Sequence, residues 1–149
     1  MKRLVFFAMP LVILLLLAPS NVPPAFAQGR MNDKDIESLM DNLKDDAKKF
    51  RSVFNSQVGK STIRKTSQEK DAKNLVEQFQ KQTDDMSHEF GSSKKADQSL
   101  PPVLASADRI DKLLTATPMG DQTANAWAKV KTELSTLSQQ FDVTPAAAK

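Results

Sequence analysis

Residues 126–141 read Ala126-Trp127-Ala128-Lys129-Val130-Lys131-Thr132-Glu133-Leu134-Ser135-Thr136-Leu137-Ser138-Gln139-Gln140-Phe141, and the spacing within this stretch decides the fold. Trp127, Val130, Leu134, Leu137 and Phe141 step by three and four residues, so a helix carries them in one stripe with Lys, Glu, Ser and Gln around the rest. A helix this one-sided must bury its stripe against other elements. The remainder of the chain has to supply them.

It holds three more stripes of the same kind. Ile36, Met40, Leu43, Ala47, Phe50 and Phe54 alternate at four and three, Leu39 and Val53 widen the stripe, and Val58 ends it before Gly59. This predicts a helix over 34–58, roughly 37 Å long, opened by Asn32 or Asp33 as cap with Asp35 and Glu37 in its first turn. Thr66 and Glu69 have the spacing of a capping box and open a second helix over 67–90, with Ala72, Val76, Phe79, Thr83, Met86 and Phe90 in its stripe and Leu75 beside it.

The third segment starts less regularly. Ser99 is a candidate cap, but Leu100-Pro101-Pro102 follows, and Pro102 biases Pro101 towards an extended shape, so the expected helix is 102–116. Its stripe is Val103, Ala107, Ile110 and Leu114, with Leu104 and Leu113 flanking. The fourth helix is predicted over 122–141, capped by Asp121 or Thr123, followed by a tail over 142–149.

Four amphipathic helices joined by short turns predict an all-α, up-down-up-down antiparallel four-helix bundle over 34–141. The expected core is Ile36, Leu43, Phe50, Phe54, Phe79, Ile110, Trp127, Leu134 and Phe141. One Trp and few Phe make that core thin, which points to self-association or a protein partner covering part of a stripe.

Upstream of the bundle, Lys2-Arg3 precedes an apolar run from Leu4 to Ala18, and a Pro-containing segment leads to Ala25-Phe26-Ala27. This is the pattern of a secretory signal peptide over 1–27, cleaved after Ala27, with 28–33 as a polar leader. The apolar run is shorter than the roughly 20 residues a spanning helix needs, so no stable membrane span is expected after cleavage. No Cys follows it for lipid attachment, and no Arg pair precedes it, so Sec-type export to the periplasm or beyond is the expected route.

Composition narrows the function classes. The chain has 149 residues with 21 basic and 18 acidic side chains, and cleavage would remove Lys2 and Arg3, leaving a near-balanced mature chain. That charge is too even for a general nucleic-acid binder. The chain has no Cys, so an exported domain must hold together by packing. Four scattered Gly and few alternating β-branched runs argue against sheets and against a phosphate-cradling loop.

Lys49-Phe50-Arg51-Ser52, Phe79 with Thr83-Asp84, Ala107-Asp108-Arg109-Ile110-Asp111, and Trp127 through Phe141-Asp142-Val143 resemble a family of small exported all-helical bacterial proteins of uncharacterised activity. The resemblance implies a helical fold whose last helix carries the Trp, and it implies no activity. His88 and the Pro101-Pro102 pair depart from the family's pattern.

Candidate chemistry is sparse. Asp84, Asp85 and His88 are three and four residues apart, so a carboxylate and an imidazole can share a helix face. Di-iron bundles repeat such a motif on a second helix, and a chain with one His cannot, which favours a solvated helix end. A haem-binding bundle with His88 and Met40 or Met119 as axial ligands is an alternative, although both Met are more simply core residues. No nucleophile stands near His88 in a catalytic motif. Lys60, Arg64 and Lys65, continued by Lys70 and Lys73, form the densest basic turn, but Glu69, Asp71 and Glu77 intersperse it and no aromatic residue offers a stacking platform. The expectation is a non-enzymatic protein with no cofactor, acting through its surface in the cell envelope.

Overall fold

The computed structural model describes residues 30–143. The expected signal peptide, the first two residues of the leader and most of the tail lie outside the described residues. Within them are four helices, α1 (Asp33–Val58), α2 (Ser67–Ser93), α3 (Leu100–Ala116) and α4 (Asp121–Gln140), and no strand. All four predicted helices are present, and their ends differ from expectation for local reasons.

Asn32 caps α1 as expected, accepting the Asp35 N–H at 3.0 Å. At α2 the capping box does not close. Lys65 sits at φ 61°, and its backbone N–H, one residue before Thr66, donates to Glu69 Oε2 at 2.6 Å. The Thr66 hydroxyl turns away and donates to the Ile63 carbonyl. The far end of α2 runs three residues past the predicted Phe90. Ser92 and Ser93 donate to the carbonyls of His88 and Glu89, and left-handed Lys94 closes the end through its N–H to Phe90 O at 2.8 Å.

α3 begins two residues earlier than predicted. Both Pro101 and Pro102 fall in its first turn, where a missing N–H has no helical partner to lose. Ser99 makes no capping bond. Neither Asp121 nor Thr123 caps α4; Gly120 holds the cap position at φ 80°, and Thr123 donates to Met119 O instead. Gly120 suits that positive φ because it has no Cβ.

The four stripes meet in one core. Phe50, Phe54, Phe79, Leu43, Ile110 and Val130 are fully enclosed, and Ile36, Trp127 and Leu134 are 5%, 3% and 4% exposed. Phe141 differs from the expected core set: it sits at the end of α4, half-buried, with its ring edge-on to Phe90 at 6.0 Å. Ile63 and Ala96, in the turns, and Met119, before α4, join the core from outside the stripes.

Helix directions follow from the cross-contacts. Glu37–Lys94, Asp41–Ser87, Lys48–Asp84 and Arg51–Glu77 link α1 to α2, with numbers rising in one and falling in the other. Met31–Gln140, Phe50–Trp127 and Gln57–Gln122 do the same between α1 with its leading residue and α4. α1 therefore runs against both. α2 also packs on α3, whereas α3 and α4 touch far less.

Candidate functional site

The weak α3–α4 contact has a cause in the side chains. The bulk of α3, Leu100, Val103 and Ile110, is spent in the core, leaving Ala105, Ala107 and Asp108 towards α4. The facing residues of α4 include Ser135 and Ser138. Small residues on both walls leave the space between them unfilled, and a groove of about 810 Å³ runs there. That volume falls within the range of small-molecule and peptide-sized clefts. Leu104, Leu134 and Val143 supply its apolar floor, and Arg109, Gln139 and Asp142 stand at its rim.

One end of the groove is clasped shut. The Trp127 indole is wedged between Phe50, 4.8 Å away, and Phe79, 5.5 Å away and nearly edge-on. Its Nε1–H donates to Asp111 Oδ1 at 2.8 Å, and Lys131 reaches the same oxygen at 3.1 Å. A buried Trp needs an acceptor for its N–H; here the acceptor lies on α3, so one side chain anchors the core and ties α3 to α4. At the other end, Asp142 takes a left-handed turn at φ 52°, and the Val143 N–H bonds to Ser138 O at 3.0 Å. This closing turn places Val143 in the groove.

The residues singled out for metal or haem chemistry are not brought together. His88 is exposed on α2. Asp85 is engaged by Lys81 at 2.6 Å, and Asp84 points to α1, where Lys48 lies 3.9 Å away. Met40 and Met119 are buried at 1% and 7% exposure, so neither shares a face with exposed His88. Among the described residues no group of three or more His, Asp or Glu is placed to hold a metal ion. Lys60, Arg64, Lys65, Lys70 and Lys73 are all exposed, with Lys73 paired to Glu69 at 2.6 Å.

A second polar feature lies on the opposite side of α4, against α1. Glu133 is half-buried there, and burial, reinforced by neighbouring Asp46, pushes its carboxyl up to about 7 against the opposing pull of Lys49 and Lys129. In sequence Glu133 is one of the polar residues around the α4 stripe, and Asp111 is the last residue of the Ala107–Asp111 segment. Neither carries a one-dimensional signal, because each owes its setting to a residue on another helix.

Compared with family models, curated proteins and solved structures, the chain matches none. Among the described residues no helix is long and apolar enough to cross a membrane.

Proposed function

We propose that the protein is an exported, non-enzymatic, up-down-up-down four-helix bundle that acts in the cell envelope by receiving the apolar face of a partner protein's helix between α3 and α4. The observation that carries this reading is the groove itself: an apolar floor of Leu104, Leu134 and Val143 between walls of Ala and Ser. Small wall residues let a helix backbone approach closely, and apolar anchors spaced along an amphipathic helix suit a floor of this kind. The rim bears both signs of charge, Arg109 and Lys131 with Asp108 and Asp142, which suits the mixed polar edge of a helix better than a single anion.

The export half of the reading rests on the basic, apolar and Ala25-Phe26-Ala27 pattern of the first 27 residues. The likeness to small exported helical proteins agrees with it. The absence of Cys from the chain and the isolation of His88 leave the surface as the place of action.

The lack of native Cys makes the test direct, because a single introduced thiol carries a photocrosslinker without competition. Ala105→Cys places the probe on the groove wall and Lys81→Cys places it on the outer face of α2. Crosslinking in envelope fractions is expected from the groove position only, onto a helical segment of another protein, and to be lost on adding Leu104→Lys at the half-buried floor position. Equal yields from the two positions, or capture of a second copy of this chain alone, would overturn the reading.

A further inference from the structure

The carboxylates that stand between helices nearly all have a cation against them: Glu77 has Arg51 at 2.9 Å, Asp111 has Lys131 at 3.1 Å, and Asp46 has Lys49 at 2.9 Å. Glu133 breaks the pattern. Its Oε2 is enclosed in the α1–α4 seam and forms no hydrogen bond among the described residues. Lys49, the nearest α1 cation in the seam, is already committed to Asp46, whose own side chain is only 17% exposed. Beside them Asp46, Lys49, Asn125, Ala126 and Lys129 line a small cleft of about 180 Å³ in the same seam. An ionised carboxylate enclosed next to a second carboxylate, with no donor of its own, is an unfavourable arrangement.

We propose that Glu133 is a proton-operated latch on the α1–α4 seam: with a proton its neutral carboxyl lies beside Asp46 and α4 docks fully, and without it the added charge loosens α4 from α1. The proton comes from and returns to water, and the neutral form adds an O–H donor where Asp46 offers an acceptor. The charges acting on Glu133 are Asp46 and Lys49 from α1 and Lys129 from α4 itself; α3, which meets α4 through Asp111 and Lys131, contributes none. Folding raises the proton affinity of Glu133 above that of the unfolded chain, so docking is strongest below neutrality and weakens as pH rises through about 7.

α4 carries Leu134, Ser135 and Ser138 of the groove wall, so the latch would set the width of the groove as well. That consequence rests on the groove as the binding face; the latch does not.

The test is amide hydrogen exchange of α4 peptides at pH 6 and pH 8, corrected for the intrinsic rate, with the Glu133→Gln protein as the reference. In the unaltered protein, protection of α4 is expected to fall about three- to tenfold from pH 6 to pH 8, the span that a pKa near 7 gives after allowance for solvent screening. Glu133→Gln should hold α4 at high protection at both values. A direct carboxyl NMR titration of the unaltered protein should give Glu133 a midpoint near 7. The same fall in α4 in both proteins, no fall in the unaltered protein, or a midpoint in the ordinary carboxylate range would each overturn the latch. If the latch passes while groove crosslinking fails, the groove reading falls alone.

Discussion

Replacing Trp127 separates its two duties. The ring is 3% exposed, tilted against Phe50 at 4.8 Å and edge-on at 5.5 Å to Phe79, and Nε1 donates to Asp111 across to α3. Trp127→Ala removes the whole ring from between two Phe residues and leaves a cavity at the centre, at an expected cost of about 3–5 kcal/mol. Trp127→Phe keeps most of the ring and loses the indole N–H. A hydrogen bond to a charged acceptor is worth more than a neutral one, but Asp111 is half-exposed and keeps Lys131, so about 1–2 kcal/mol is expected for the loss of bond and ring volume together. A double-mutant cycle of Trp127→Phe with Asp111→Ala should show about 1 kcal/mol of coupling. Urea unfolding followed by far-ultraviolet circular dichroism is the assay, since fluorescence disappears with the only Trp. A loss below about 1 kcal/mol for Trp127→Ala, the range of surface substitutions, would refute the packing argument. Additive effects in the cycle would refute the clasp.

Other outcomes follow from single features. In urea titrations the protein should lose about 1 kcal/mol between pH 6 and pH 8, because folded Glu133 holds its proton up to about 7 while the unfolded chain has already released it; Glu133→Gln should remove that slope and be the more stable protein at pH 8. Asp142→Gly should stabilise the protein by about 0.5–1 kcal/mol in thermal or urea melts, since the position sits at φ 52° and Gly takes that conformation without a Cβ penalty. Arg51→Ala removes the α1–α2 contacts to Glu77 and Gln80, and equilibrium unfolding should show a loss of about 0.5–1 kcal/mol that shrinks in high salt. His88→Ala should leave the unfolding free energy from urea melts unchanged to within about 0.5 kcal/mol, as for an exposed side chain.

The four helices were legible in the chain because period is a local property. Stripes at three and four residues require no knowledge of what they pack on, and Ile36, Leu43, Phe50, Phe54, Phe79, Ile110, Trp127 and Leu134 all lie in the core they predict. Helix ends were less legible, since they depend on competition between side chain and backbone. Glu69 is taken by the Lys65 N–H, and Ser92 with Ser93 carries α2 beyond Gly91. Phe141 kept its place in the pattern but is only partly buried, because α4 ends there.

Four amphipathic helices, and the face of each that turns inward, follow from residue spacing alone, because a 3.6-residue repeat converts position into direction. What lies between the helices depends instead on how they pack in three dimensions. Whether Ala105 and Ser135 face solvent, a neighbour or each other depends on how far α3 and α4 stand apart, and that distance is set by the bulk α3 commits to the core and by the Trp127–Asp111 clasp. Glu133 shows the same division. Its place on α4 is written in the chain, but its raised proton affinity comes first from burial in the fold and then from Asp46 on α1, and both depend on distance in space, which residue order does not record.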